Sequence, residues 1–403
     1  MRGNRLVVVG ISIFASLGAS NAVSTPAAVG RRGTQYSTLP FDSNSIPPAS
    51  QPIIIAVGEA AHGAEPMLFV RNHLISELAE EGRISWVALE TGYAEALLLD
   101  RFVRGAAGTP SEVAAKGFTH GFGDFAGNVA LLEDLRAINL RKPVGKQIGI
   151  VGIDLSLEGP WGSAPSMPPI ECALNGVHSL ALRQSLHESL SRAVIPGLTQ
   201  ASVSEQERTN FRALSEQLAS SIGTDGSQTS RQCASIVVQS AAALDAEPMH
   251  AAQGSVPSNA WRMVDVRDEA MAKNALAALA DANGGSILLF AHTAHVVNAP
   301  MLGGRFSGQS QPPQSMGETL HRSLGGRYFA IVQVEPITPP SLSGAPGLLQ
   351  LAHPTCEVPC MISSKEIQLR QVRIGENHDD QQLIDPTTAA SYYLIIPKSF
   401  NPR

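Results

Sequence analysis

Two histidines, His292 and His295, directly follow a short apolar run in the stretch SILLFAHTAHV (286–296). Imidazole side chains titrate near neutral pH, so they serve as acids, bases and metal ligands. The apolar run predicts a buried strand, and ligands bind at the carboxyl ends of the strands in parallel sheets. The two histidines therefore lie where catalytic chemistry is expected, although a chance pair in a loop is the alternative.

Ionisable side chains follow three other predicted strands in the same way. In a parallel sheet all of these strand ends lie along one edge, so the side chains would share a small volume. Crowded carboxylates and imidazoles shift one another's pKa values, which is typical of a catalytic centre. Each residue alone would fit a loop, a helix cap or a structural hydrogen bond, and the coincidence at several ends favours function. The residues are Glu59 and His62 after PIIIAVG (52–58), Glu90 at the end of ISWVALE (84–90), and Asp154 at the end of IGIVGID (148–154).

The chemistry expected at such an edge is direct attack by water. The sequence contains no G-x-S-x-G, H-E-x-x-H, P-loop or G-x-G-x-x-G motif, so it lacks the usual signatures of an activated serine, a zinc helix or a phosphate loop. A neutral histidine can instead take a proton from water while carboxylates orient it. Arg71, early in the next predicted helix, could bind a carboxylate or stabilise an oxyanion; an ordinary surface arginine is the alternative.

Strands alternate with helices in the order that positions these residues. This alternation and the continuously apolar strands predict an α/β fold, a three-layer α/β/α arrangement with a mainly parallel sheet. Residues 171–283 read as almost entirely helical and are expected to form a large insertion. The expected helices are 64–82, 94–105, 129–142 and 318–325, and further strands are expected at 286–290, 327–335, 365–375 and 391–398.

Composition indicates a globular protein that does not bind nucleic acid. Hydrophobic residues make up 43% of the 403 residues and charged residues 16%, which suits a well-buried core. The net charge of −6 argues against a nucleic-acid partner, because phosphate binding depends on clustered Lys and Arg.

The first residues resemble an export signal. Residues 1–22 combine two arginines, an apolar stretch and small residues at a cleavage position, as in a secretory signal peptide. The apolar stretch 6–17 is shorter than the roughly 20 residues that a spanning helix needs, which disfavours the alternative of an uncleaved membrane anchor. We therefore expect a secreted or periplasmic protein with no membrane contact after cleavage, a flexible lead-in over 23–50 and one catalytic domain over 51–403.

The four cysteines fit an oxidising compartment. They allow three pairings in two disulfides; proximity favours Cys356 with Cys360, and elimination then pairs Cys172 with Cys233. A zinc site is disfavoured because no second closely spaced Cys or His pair completes the motif CEVPC.

Three motifs in fixed order, GEAAHG (58–63), ALETGY (88–93) and AHTAHV (291–296), resemble the erythromycin esterase family. Further matches are GIVGIDLS, VRDEAMAKN and SMGETLHRSLGGRYFAI, and the likeness extends from about 53 to 334. It implies a three-layer α/β fold and hydrolysis of a macrolactone ester without a covalent intermediate. For this chain we expect neither a cofactor nor a metal. Ala61, where the family commonly has Thr or Ser, leaves the macrolide substrate open.

The resemblance also implies roles for individual residues. His62 would be the general base that activates water, and Glu59 and Glu90 would orient the base and the water. Arg71 matches a polar site residue, and His292 or His295 would stabilise the carbonyl oxygen or protonate the leaving alcohol. Asp154 is expected to help bind the small-molecule ester substrate.

Two other functions use the same residues. A metal-dependent hydrolase would take zinc or manganese on nitrogen and oxygen ligands, and a non-enzymatic cell-envelope protein would bind a ligand there without turnover. The metal-ligand set would be Glu59, His62, Glu90, His292 and His295.

Overall fold

A computed structural model gives the architecture of this chain. It describes Ile46 and residues 50–158, 164–194, 204–224, 226–246, 262–301, 311–334, 359–366, 372–374 and 382–397. All of these residues fall within one unit of the chain, Thr38–Arg403. The predicted signal peptide, most of the predicted lead-in and Cys356 lie outside the described residues.

A seven-stranded sheet forms the middle layer. Its strands are β1 (Ile54–Glu59), β2 (Ile84–Gly92), β3 (Gly149–Asp154), β6 (Ser286–His292), β7 (Tyr328–Val334), β8 (Cys360–Ser363) and β11 (Tyr392–Ile395). Their order across the sheet is β3-β2-β6-β1-β7-β11-β8. Every neighbouring pair is parallel except β11 with β8. Two small antiparallel pairs complete the described strands: β4 (Leu157–Glu158) with β5 (Ala164–Pro165), and β9 (Val372–Ile374) with β10 (Gln382–Ile384).

Helices cover both faces of the sheet. One layer contains α1 (Glu65–Glu80), α2 (Tyr93–Val103), α3 (Pro110–Gly117) and α4 (Ala126–Asn139). The opposite layer contains α9 (Arg262–Asp281), α10 (Thr293–Val296) and α11 (Met316–Leu324). Alternate residues of β1 pack into different cores, Ile55 and Val57 toward the first layer and Ile54 and Ala56 toward the second. A strand covered on both faces must be apolar at every position. This explains the uninterrupted apolar run in PIIIAVG (52–58).

The helical insertion has its own small core. It comprises α5 (Met167–Leu174), α6 (Leu180–Ala193), α7 (Glu205–Ser221) and α8 (Gln228–Asp245). Phe211, Leu190 and Val237 are among its buried side chains, and the disulfide Cys172–Cys233 joins α5 to α8. A covalent link across a chain separation of 61 residues restricts the unfolded chain and so stabilises the folded insertion.

The fold confirms the predicted three-layer α/β architecture and the Cys172–Cys233 pair, with two differences in detail. The insertion predicted over 171–283 includes α9, but the alanine-rich face of α9 packs directly on the sheet, so this helix belongs to the layer that covers the sheet. The strand predicted over 365–375 is wrong at its start, where 364–366 form a 3₁₀ turn, and β9 belongs to a separate two-stranded sheet. Within the described residues, no helix is both long and apolar enough to cross a membrane.

Candidate active site

The carboxyl ends of four neighbouring parallel strands bring the predicted residues together. Glu59 ends β1, and its register partner is His292 at the end of β6. Glu90 lies near the end of β2, and Asp154 ends β3 beside Gly92 of β2. Parallel pairing therefore puts residues that are distant in sequence onto one edge, as the strand-end pattern predicted.

Glu59 and His62 form a carboxylate–imidazole pair. The Glu59 Oε1 atom lies 2.8 Å from Nδ1 of His62. Glu59 is buried, whereas the side chain of His62 is 38% exposed. The turn directly after His62 needs a glycine, because Gly63 has a φ of +76° and a Cβ there would lie 2.6 Å from the Phe125 ring. The bond from Glu59 to Nδ1 holds the imidazole at the end of β1, and Nε2 takes no part in this bond.

The surroundings of this pair favour a proton on His62. Burial alone would lower the pKa of His62, but the bond to Glu59 and the charge of Glu90 outweigh it and raise that pKa. Burial also raises the pKa of Glu59, and the bond to His62 offsets this only in part. Both shifts follow from the balance between burial, which disfavours a charged group, and the opposite charge of the hydrogen-bonded partner, which favours it.

Glu90 contacts three donors from other parts of the chain. Its Oε2 accepts the backbone N–H of His292 at 2.7 Å, and its Oε1 lies 2.9 Å from Nη2 of Arg267. The same oxygen is 3.3 Å from Nε2 of His295. Burial would raise the pKa of Glu90, but His295, His62 and Arg267 hold it well below its usual range. Glu90 is therefore an ionised carboxylate that ties the end of β2 to β6 and α9.

His295 is enclosed between two carboxylates. Its Nδ1 lies 2.7 Å from Oδ1 of Asp268, and its Nε2 faces Glu90. Burial would lower its pKa, but the charges of Asp268 and Glu90 raise it to about 10. His295 is consequently an imidazolium near neutral pH, with both ring nitrogens occupied.

The charge of His295 predicts a pH dependence of stability. Its folded pKa of about 10 exceeds the unfolded value of 6.5, so its contribution is complete below pH 6.5 and is lost as the pH rises through 10. We expect H295Q to be less stable than the wild type by a few kcal/mol near pH 6, and this difference to shrink steadily toward pH 10. Urea denaturation at several pH values measures it. H187Q, on the exposed face of α6, is the control, and a difference for H295Q that stays constant with pH would contradict the prediction.

His292 uses both ring nitrogens within the protein. Its Nδ1 accepts the backbone N–H of Ala294 at 3.2 Å, and its Nε2 lies 3.2 Å from the carbonyl oxygen of Ala60. An accepting Nδ1 requires the neutral ring to carry its hydrogen on Nε2, which then donates to Ala60. The ring centroid of His292 is 4.9 Å from that of His62, so it forms one side of the space around the exposed imidazole.

Asp154 is fully buried and pairs with two cationic or potentially cationic groups. Its carboxylate contacts Nε and Nη2 of Arg267 at 2.8 and 2.5 Å, and Nε2 of His120 at 3.1 Å. Burial would raise its pKa, but Arg267 and His120 hold it well below the usual range. With no exposed surface, Asp154 is suited to positioning Arg267 and His120 rather than to touching a substrate.

Arg71 is buried beneath the edge, 1% exposed. Its guanidinium bonds to Asn72 Oδ1 at 2.9 and 2.7 Å and to Asn128 Oδ1 at 2.9 Å, and it lies 4.4 Å from the ring centroid of Phe290. Burial lowers its pKa to about 10. Its positive charge acts on Glu59 through space, while its bonds connect α1 to α4.

Three residues of this cluster were missed from the sequence: His120, Arg267 and Asp268. Arg267 and Asp268 stand in VRDEAMAKN, and Asp268 shares a helix face with Met271, Ala272 and Ala275. A carboxylate on an apolar helix face needs a buried partner, which is a signal that the sequence did carry. His120 lies in a glycine-rich loop without regular spacing.

The described residues contain no group of three or more His, Cys, Asp or Glu side chains arranged to hold a metal ion. The donor atoms explain this in part. The ring nitrogens of His292 and His295 are directed at protein groups, and Glu90 accepts three protein donors. The ligand set considered from the sequence is therefore largely engaged in bonds within the protein.

Solved structures share this fold. A protein from Bacillus cereus superposes with a TM-score of 0.68 at 17% identity, over 89% of this chain and 92% of its own. A succinoglycan biosynthesis protein superposes at 0.66 and 13% identity, over 86% and 88%. A mutant of the erythromycin esterase EreC in its open conformation does so at 0.59 and 15% identity, over 85% and 90%.

Sequence comparison identifies the family. No curated protein is significantly similar to this chain. The family model for erythromycin esterase, however, matches residues 79–333, which is more than half of the 403 residues and includes Glu90, His120, Asp154, Arg267, Asp268, His292 and His295. This chain therefore belongs to the erythromycin esterase family.

Proposed function

We propose that the protein is an exported hydrolase that cleaves a carboxylic ester by attack of water, with His62 as the general base. The observation that carries this proposal is the Glu59–His62 pair. Glu59 accepts from Nδ1 at 2.8 Å, so the neutral ring presents a bare Nε2 on a side chain that is 38% exposed. Among the described residues this nitrogen has no hydrogen-bond partner.

The remaining charges orient that base and stabilise the imidazolium that it forms. In this proposal Glu59 fixes the tautomer, and the ionised Glu90 stabilises the imidazolium that forms when His62 takes a proton from water. His295 and Arg71 act through Glu90 and Glu59 rather than on the substrate. Membership of the erythromycin esterase family supports ester hydrolysis, and an erythromycin-like macrolactone is the first substrate to test.

Export is supported by two features. The disulfide Cys172–Cys233 is of a kind that persists in oxidising compartments, and residues 1–22 have the composition of a signal peptide. We therefore place the activity in the periplasm or outside the cell.

A panel of esters tests the function directly. The purified protein is assayed with p-nitrophenyl esters, alkyl esters of the same acids and macrolactones that include erythromycin, with and without a chelator. We expect turnover of at least one class, unchanged by the chelator. Turnover that is lost on chelation and restored by zinc or manganese would establish the metal-dependent alternative. Ligand binding without turnover of any ester by the folded protein would favour the binding-protein alternative.

A further inference from the structure

We propose that His120 is the acid that protonates the leaving alcohol. This inference rests on the proposed ester hydrolysis and assigns a second catalytic residue to it. His120 lies between α3 and α4, away from the strand-end motifs, and its side chain is 24% exposed.

His120 and His62 both contact the ring of Phe122. The centroid of the Phe122 ring is 4.7 Å from that of His62 and 5.5 Å from that of His120. An ester held against this ring could therefore reach both imidazoles. One of them would take the proton of water, and the other would supply a proton to the departing oxygen.

The hydrogen bonds of the histidines at the carboxyl edge of the sheet favour His120 for this role. Both ring nitrogens of His292 and of His295 are bonded to other groups of the protein. In the described part of the chain, the histidine nitrogens of this cluster without a hydrogen-bond partner are Nε2 of His62 and Nδ1 of His120. A base and an acid acting on one ester need two such nitrogens.

The loop that carries His120 is fixed to the end of β2. The hydroxyls of Thr91 and Thr119 lie 3.1 Å apart, the backbone N–H of Thr119 donates to Thr91, and that of Gly92 donates to Thr119. His120 then adopts a left-handed φ of 60°, which non-glycine residues rarely occupy and which persists only where surrounding contacts impose it. These contacts hold the imidazole next to Asp154.

Asp154 determines which nitrogen of His120 is available. As an ionised carboxylate, Asp154 accepts the hydrogen of Nε2 at 3.1 Å. Protonation of the ring therefore adds its hydrogen at Nδ1, the nitrogen without a partner. Asp154 thus orients His120 as Glu59 orients His62. The carboxylate bonds Nε2 in His120 and Nδ1 in His62, so the other nitrogen of each ring is available.

The step balances with water as the only co-reactant. A bond forms between the water oxygen and the ester carbon, and the proton of water moves to Nε2 of His62. When the bond from carbon to the alcohol oxygen breaks, its electron pair stays on that oxygen, which takes the proton from Nδ1 of His120. The products are the carboxylic acid and the alcohol, and solvent then removes the proton from His62 and returns one to His120.

Esters of one acid with different alcohols test this assignment. p-Nitrophenolate leaves without being protonated, whereas an alkoxide does not. The test variant is H120N, because asparagine tolerates a left-handed backbone and its amide can donate to Asp154. We expect H120N to lose about 10²- to 10⁴-fold in kcat/KM for the ethyl ester and less than about 10-fold for the p-nitrophenyl ester. H187N, on the exposed face of α6, is expected to change neither.

The outcomes separate this inference from the proposed function. Equal losses for the two esters, or no loss for either, would overturn the role of His120 while leaving ester hydrolysis intact. Absence of turnover of both esters by the wild type would instead overturn the proposed function. H120A provides a second measurement; if it lowers the urea midpoint, the ratio of the two kcat/KM values still reports on proton transfer because both values come from the same folded fraction.

Discussion

Replacing His62 with alanine is expected to reduce kcat/KM for ester hydrolysis by about 10²- to 10⁴-fold, the usual contribution of a general base. The loss should be of similar size for alkyl and p-nitrophenyl esters, because water must be activated for both. The side chain is 38% exposed and contributes little to the core, so the urea midpoint of H62A should stay close to that of the wild type. Steady-state assays and urea denaturation of the same preparations measure the two quantities.

The pH profile provides a control for this assignment. A general base works only when deprotonated, so activity should fall as the pH drops through the pKa of His62, which Glu59 and Glu90 raise against the effect of burial. E59Q removes one of these charges, and the acidic limb of its profile should move to lower pH. H187A serves as the matched control for H62A. An active H62A, or an E59Q profile identical to that of the wild type, would remove His62 from the mechanism.

The strand-end residues could be predicted because the topology leaves them little choice. An apolar strand buried on both faces must run through the middle of the sheet, and parallel neighbours must end at the same edge. The side chains at the ends of β1, β2, β3 and β6 therefore had to meet there, whatever the intervening chain does. This is why Glu59, Glu90, Asp154 and His292 could be grouped without knowledge of the helices.

The partners of these residues could not be predicted in the same way. Arg267 and Asp268 reach the edge only because α9 packs with one particular face and at one particular height on the sheet. His120 depends on a loop whose backbone is set by hydroxyl bonds between Thr91 and Thr119. Side-chain periodicity places Asp268 on the buried face of α9, but it does not say which groups on the sheet that face meets. The sequence therefore predicted which carboxylates and imidazoles cluster at the sheet edge, but not which of them form hydrogen bonds and ion pairs within the protein.

The hydrogen bonds of the ring nitrogens explain why we propose different roles for the four histidines. The family resemblance implied that His292 or His295 stabilises the carbonyl oxygen or protonates the leaving alcohol. The structure instead places His295 between Asp268 and Glu90 and uses His292 to cap α10 and bind Ala60. Histidines with both nitrogens occupied stabilise the edge and its charges, while the partly exposed His62 and His120 retain a nitrogen for chemistry.

Replacing Arg267 with methionine should be among the most destabilising single changes at this edge, by about 3 to 5 kcal/mol. Arg267 contacts Asp154 at 2.8 and 2.5 Å and Glu90 at 2.9 Å, and both carboxylates are buried. Methionine has a similar length but no charge, so it would leave two desolvated carboxylates without this cation. The urea midpoint and its slope measure the loss in free energy of unfolding.

A matched pair of arginines makes this prediction specific. Arg212 also contacts a carboxylate, that of Asp245 at 2.5 Å, but its side chain is 49% exposed. R212M should therefore change stability by no more than about 1 kcal/mol, although the two ion pairs have the same shortest distance. Adding D154N to R267M should recover part of the loss, because it removes one of the stranded charges and makes the two substitutions non-additive. If R267M costs no more than R212M, or if D154N adds to its effect in full, then burial of Asp154 and Glu90 does not depend on Arg267.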